Sequence, residues 1–376
     1  MSSSLLDIFA SITDPRQAQG KVCGLAPVLM VSVLAVLSGA TSYREVHGFI
    51  DSHLSRLNKA FGLGWRKAPA YSSVRTILHG LDPMAVEKAF RAHAAALMPA
   101  GPDDGMSRAI TVDGKTLRGS FDGFHDQHDQ KAAHVLSAFA QDQAITLGHL
   151  ATDDKSNEIP AAQAFIKDLG LEDRLFTADA MHCQKTFEAA RQTGSHLLVQ
   201  LKKNQHELFE RVLAMTKTEM PIGQILTKDL AHNRSENRRT EVFDVCNTIA
   251  GAERATYLQC VIRISRNTFI KNAKTGLWQR RSEIALHVSS AKLSAKQAAA
   301  AIRGHWGIEN KKHYVRDTAF VEDQSASDPI LVFSQGSEAM PSTSYGQTVS
   351  RMSKTLFGKT LSVLTEHSAS KDCNQR

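Results

Sequence analysis

Ala109-Ile110-Thr111-Val112-Asp113 is the stretch on which the fold turns: an apolar, strand-like run that ends on a carboxylate. Arg174-Leu175-Phe176-Thr177-Ala178-Asp179 repeats the arrangement further along. Around these runs, residues 134–140 and 145–150 read as strands, 159–169 and 184–193 as helices, and 196–201 as a fifth strand. Three strands, helix, strand, helix, strand is the order expected of an RNase H-like core, an α/β sheet with helices on both sides.

Outside this block the pattern changes. Residues 1–98 read as an all-α N-terminal domain, with apolar positions at a helical period through Val46, Phe49, Ile50, Leu54, Leu57 and Phe61. Its basic residues Lys59, Arg66, Lys67, Arg75, Lys88 and Arg91 suit either DNA contact or an ordinary solvated surface. The Pro- and Gly-rich residues 99–108 form the linker, and 109–325 the catalytic domain. Residues from about 202 to 290 read as a β-rich insertion, and Ser294 with Gln297 forms a capping box that opens the next helical region.

Composition narrows the class. A chain of 376 residues with 42% hydrophobic and 22% charged residues is globular. Net charge +7 and pI 9.1 favour a polyanionic partner. Cys23, Cys183, Cys246, Cys260 and Cys373 are scattered without a C-x-x-C pair, which points to a reduced, cytoplasmic protein with no disulfide framework or zinc knuckle. The apolar stretch 25–40 resembles a signal peptide's core, but the polar residues ahead of it and its short length favour a buried helix.

The chemistry rests on three acids: Asp113, Asp179, and Glu309 in the helix-like run His305-Trp306-Gly307-Ile308-Glu309-Asn310. Singly each has a plain reading. Asp113-Gly114 suits a hairpin turn, Asp179 a helix cap, and Glu309 an exposed helical position beside Lys312 and His313. Together, two strand-end aspartates and a later helical glutamate can converge on divalent ions. Hard oxygen ligands suit magnesium, and a pair of ions about 4 Å apart suits phosphodiester cleavage. Lys115, Arg118, Lys202, Lys203 and Asn204 are candidate phosphate contacts, and His305 and Arg316 can steady Glu309 or the DNA from neighbouring turns.

At these residues the chain resembles bacterial insertion-sequence transposases of the DDE type, in the branch that contains the H-repeat-associated proteins (the ISAs branch). The resemblance covers roughly residues 5 to 325. It is carried by Asp14-Pro15-Arg16, Ile110-Thr111-Val112-Asp113-Gly114-Lys115 with Arg118-Gly119-Ser120, and Thr177-Ala178-Asp179-Ala180-Met181-His182. Further on it is carried by Leu201-Lys202 with Asn204-Gln205, Ile302-Arg303-Gly304-His305-Trp306-Gly307-Ile308-Glu309-Asn310, and Val321-Glu322-Asp323. It implies an RNase H-like fold, a catalytic triad of Asp113, Asp179 and Glu309 on two Mg2+ ions (Mn2+ as substitute), and double-stranded DNA as partner. It also implies a homo-oligomeric synaptic complex in a bacterial cytoplasm.

The chain departs from the family's pattern at Lys312, at Arg316-Asp317-Thr318 where relatives have Leu-Asp-Val, and in lacking their Tyr-Arg-Glu-Lys signature. Residues 326–376 are Ser- and Thr-rich without steady periodicity. A neighbouring reading frame near the Ser325 codon can be written to spell a basic, family-like ending. The expectation is therefore a frameshifted, poorly ordered tail. These departures keep a second reading open beside the active enzyme: a catalytically inactive remnant that occupies element ends. A third is an RNase H-like nuclease that does not transpose.

Overall fold

The computed structural model describes residues 5–18, 21–40, 42–98, 108–121, 132–152, 158–179, 186–231, 233–245, 257–272 and 275–308. Five helices come first: α1 (Leu5–Ala10), α2 (Leu25–Leu37), α3 (Tyr43–Phe61), α4 (Tyr71–His79) and α5 (Pro83–Leu97). The Ser42 side chain caps α3 by accepting from the Glu45 N–H, and Gly62 ends it at φ 63°, a left-handed conformation that glycine adopts without strain. Val28, Val31 and Ala35 of α2 are fully enclosed against Val46, Ile50 and Val74 of the neighbouring helices. The apolar stretch is thus a core helix. Among the described residues no helix is long and apolar enough to cross a membrane.

A mixed sheet of nine strands follows, interrupted by helices. Its first part runs β1 (Ile110–Phe121), β2 (Ala132–Ala140), β3 (Ile145–Thr152), α6 (Glu158–Asp168), β4 (Leu175–Ala178), α7 (Thr186–Gln192) and β5 (His196–Leu201). The second part is α8 (His206–Thr218), β6 (Gly223–Ala231), β7 (Arg234–Asp244), β8 (Cys260–Lys271), β9 (Trp278–Ser289) and α9 (Ala295–His305). The spatial order is β3-β2-β1-β4-β5-β9-β8-β7-β6. β1 pairs antiparallel with β2 but parallel with β4, and β4 pairs parallel with β5. Every residue of β4 is buried, as a parallel strand covered on both faces requires.

Two sequence expectations are corrected here. Asp113 does not end its strand: β1 continues to Phe121 in register with β2 as far as Thr116, so Asp113-Gly114 is not a hairpin turn. The span after Lys202 begins with a helix, α8, whose apolar side (Leu208, Val212, Met215) packs on the sheet, and β6 carries no strong strand signal because its outward residues are exposed. The inserted strands join the core sheet directly. β9 pairs antiparallel with β5 from Leu198↔Ser289 to Leu201↔Leu286, so β6 to β9 widen the same sheet.

The helical segment is locked onto the edge strand β3 by Glu87 of α5. Its Oε1 accepts from the His149 backbone N–H at 2.6 Å and from Arg91 Nε at 2.9 Å, and Arg91 reaches on to Asp168 of α6 at 2.6 Å. Arg91, expected among possible DNA contacts, is therefore engaged within the chain. Burial pushes the Glu87 carboxyl up, but the His149 and Arg91 contacts outweigh it and hold the group below the usual carboxylate range. Glu87→Ala is expected to cost about 1–3 kcal/mol by stranding the His149 N–H. Because the folded-state pKa is depressed, this contribution is present above the unfolded carboxyl's pKa and is lost on acidification. Urea melts of wild type and variant should therefore converge as pH falls below the carboxylate range.

Candidate functional site

The register of β1 and β4 assembles the site. Ile110 pairs with Phe176 and Thr111 with Thr177. Two residues further along each chain stand Asp113 and Asp179, on the same side of the sheet as the two threonines because side chains alternate. Asp179 follows the last residue of β4, where the sheet opens. The two carboxylates are close enough for the Asp179 charge to act on Asp113. Burial raises the Asp113 pKa; His305 opposes that, while Asp179 and Glu158 add to it.

Beneath the carboxylates lies a polar layer that the sequence alone did not single out. Thr177 Oγ1 donates to Thr111 Oγ1 at 3.2 Å. The Gln141 amide nitrogen donates to Thr111 Oγ1 and Thr177 Oγ1 at 3.0 Å each, and to the Ala301 carbonyl of α9 at 3.1 Å. One side chain thus ties β1, β4 and α9 together. α9 starts at the capping box formed by Ser294 and Gln297, as the sequence indicated. It buries Ala298, Ala301 and Ile302 against the sheet, and lays His305 on the site. His305 Nδ1 lies 3.0 Å from Thr177 Oγ1, and its other ring nitrogen is 3.9 Å from an Asp179 oxygen. Beyond it, Ile308 packs on Phe139 and Ala144, so the chain is anchored up to the residue before Glu309.

On the other face, behind Asp113, is a second buried polar group. His134 Nε2 lies 3.3 Å from a Glu158 oxygen, and Thr116 Oγ1 is 3.0 Å from His134 Nδ1. Gly114 leaves room for this group: a Cβ there would stand 2.5 Å from His134 Nε2 and 3.1 Å from the Glu158 carboxyl carbon. Gly114→Ala is expected to destabilise the fold by about 1–3 kcal/mol, because neither buried partner can give way freely. A denaturant midpoint equal to wild type would show that the pair is looser than this.

Of the expected site residues, the structure brings Asp113, Asp179 and His305 together. Lys115 lies two residues after Asp113 on the same side of β1. Lys202, Lys203 and Asn204 are exposed immediately after β5, at the edge where Asp179 stands, because β4 and β5 run parallel. Glu309 and Arg316 lie outside the described residues, as do the Arg118 side chain, Lys312 and the whole of 326–376. Among the described residues no three ligating side chains gather in one place. The two aspartates nevertheless suit a hard cation. Asp113 carries an electrostatic penalty from burial and from neighbouring carboxylates that a divalent charge would remove, and both offer oxygen donors.

Residues 6–94 match the family described as DDE_Tnp_1-associated, and residues 104–330 match the family described as Transposase DDE domain. The chain is 32% identical over 332 residues to "Putative transposase YncI" of Escherichia coli O157:H7, covering 86% of this chain and 81% of that protein. It is 28% identical over 326 residues to "H repeat-associated putative transposase YhhI" of Escherichia coli (strain K12), covering 85% and 83%. A solved synaptic complex of piggyBac transposase with hairpin DNA aligns over 92% of this chain and 71% of that one, at 10% identity and a TM-score of 0.41.

Proposed function

Because this chain belongs to the Transposase DDE domain family, we propose that it cuts DNA at the ends of an insertion sequence and joins the freed ends to target DNA. The observation that carries the reading is the pairing of Thr111 with Thr177, which sets Asp113 and Asp179, each two residues on, near each other on one face of the sheet, with His305 of α9 beside them. The strand order β3-β2-β1-β4-β5, with β2 antiparallel and β4 and β5 parallel to β1, supports an RNase H-like core. In the same reading, residues 1–98 form a helical DNA-contacting domain, 99–108 a linker, and 109–325 the catalytic domain.

Asp113 and Asp179, with Glu309, would hold two Mg2+ ions, or Mn2+ in their place. Such ions supply the charge that activates a water and stabilises the leaving oxygen of a phosphodiester. His305, seated on Thr177, limits how far Asp179 can swing. Gln141 and the two threonines fix the distance between the strands that carry the aspartates. Lys115, Arg118, Lys202, Lys203, Asn204 and Arg316 contact phosphates, while Arg91 is excluded from that set by its ion pairs. Water attack at the element end frees a 3′-hydroxyl, and that hydroxyl attacks the target strand. A homo-oligomer holding two ends, acting in the cytoplasm, completes the proposal.

DNA carrying the inverted repeats that bracket the gene tests this. Mg2+-dependent nicking at the repeat boundary is the expected result. The substitutions around Glu309 (Lys312, Arg316) motivate the second reading, an inactive remnant, which binding to the repeats without nicking would select.

A further inference from the structure

The inserted strands extend well past the catalytic edge. The last β5–β9 pair is Leu201↔Leu286, yet β9 begins at Trp278, so the strand runs on beyond the end of β5 through residues 278–285. At about 3.3 Å per residue this is a projection of roughly 26 Å. The register carries β8, β7 and β6 outward with it.

The two faces of this projection differ in kind. On the α9 side lie all three of its carboxylates, and each is engaged. Asp229 pairs with Arg303 of α9 at 2.7 Å, Glu236 with Arg234 at 2.6 Å and Arg238 at 2.5 Å, and Glu283 with Arg281 at 2.5 Å and with Arg266. The opposite face is covered by α8 only near the core, where Arg263 donates to the Thr216 carbonyl at the end of that helix and pairs with Glu241.

Beyond that point the cross-strand rows on the open face read Ile284–Ser265–Arg239–Leu226, Ser282–Asn267–Asn237–Lys228, Arg280–Phe269–Ser235–Leu230 and Trp278–Lys271. They contain four cations and no carboxylate. All four cations are exposed. Leu226, Leu230, Ile284 and Trp278 are also open, at 67%, 75%, 62% and 56% exposure, so no other part of the described chain covers this face.

We infer that this open face of β6 to β9, on the opposite side of the sheet from the aspartates, binds the phosphate backbone of duplex DNA. The inference rests on the transposase reading for its choice of polyanion. A second copy does not fit as occupant, because a two-fold contact of this face with itself would set four cations against four. The separation of charge points the same way. Acids that neutralise arginines on one side of the strands are absent from the other, and a phosphate chain is the complement of such a face. The apolar side chains between the cations suit contact with deoxyribose.

The test is anisotropy of the full chain with a fluorescein-labelled, random-sequence duplex of roughly 30 base pairs, in EDTA, over a range of KCl. For Lys228→Gln/Arg239→Gln/Lys271→Gln/Arg280→Gln, the slope of log K against log salt should fall by about 3 to 4, since each lost phosphate contact removes about 0.9. Arg239→Gln alone should remove about one unit, which guards against a multiple variant that folds poorly. The control Lys167→Gln/Lys217→Gln/Lys292→Gln/Lys296→Gln, at exposed positions elsewhere, should leave the slope near wild type. An unchanged slope in the first variant, or an equal fall in the control, overturns the assignment. If the wild-type chain binds no duplex at all, both this face and the transposase reading fail; binding that is indifferent to the face variant removes the face alone.

Discussion

Asp113→Asn is expected to lower Mg2+-dependent nicking of element-end DNA by at least about 10³-fold while making the metal-free protein more stable at neutral pH. The two effects have one cause. Burial, together with Asp179 and Glu158, raises the Asp113 pKa above its unfolded value. A carboxyl with a raised folded-state pKa stabilises the fold only while protonated, so this stability is lost as pH climbs through the unfolded and then the folded pKa. Asparagine removes the charge and with it the penalty. Thermal melts in EDTA should show the variant above wild type at pH 7, with the gap closing below the carboxylate range. Adding Mg2+ should raise the wild-type midpoint and leave the variant's unmoved. Wild-type nicking rates in Asp113→Asn would remove Asp113 from the active centre.

The second large effect is expected at Gly304, on the helix face that meets Gln141. A Cβ at this position would stand 2.7 Å from Gln141 Cδ and 3.1 Å from its Cβ. Gln141 cannot swing aside cheaply, because its amide nitrogen is spent on Thr111, Thr177 and the Ala301 carbonyl. Gly304→Ala should therefore push α9 off the sheet or break these bonds, at about 1–3 kcal/mol. His305 is the next residue, so the same displacement moves its ring off Thr177 and Asp179. Misplacement of order 1 Å costs about 10²-fold in rate, and nicking should fall by about that factor. Gln141→Ala/Gly304→Ala should recover part of the fold's stability, since only the 3.1 Å approach to the residue 141 Cβ remains of the clash, without recovering the rate. Near-wild-type nicking in Gly304→Ala would show that α9 is not held by this contact.

Much of the site's framework is legible in the chain because the core strands are apolar on both faces. The runs ending at Val112 and Ala178 carry a strand signal that owes nothing to distant contacts, and Asp113 and Asp179 stand out against them. The Ser294–Gln297 capping box is equally local. What escapes the sequence depends on register. β1 passes through Asp113-Gly114 without turning because Gly114 makes room for His134 and Glu158, residues from two other elements. β6 is half exposed, with Leu226 and Leu230 on the open side, so its alternation gives no sign of a buried strand. Gln141 sits in the turn between β2 and β3, and its role is visible only once β1, β4 and α9 are placed around it. Gly304 stands within the Ile302–Asn310 motif, but the reason for it is the Gln141 side chain opposite.

If Asp113, Asp179 and Glu309 meet around divalent ions, iron-directed cleavage of the polypeptide will mark all three. With Fe2+ in place of Mg2+, and ascorbate with peroxide, the backbone is cut beside the bound metal. Cuts are expected near residues 113, 179 and 309 together, suppressed by excess Mg2+ and lost in Asp113→Asn. Cuts that cluster at the aspartates but never near 309, or that persist in Asp113→Asn, would contradict this arrangement.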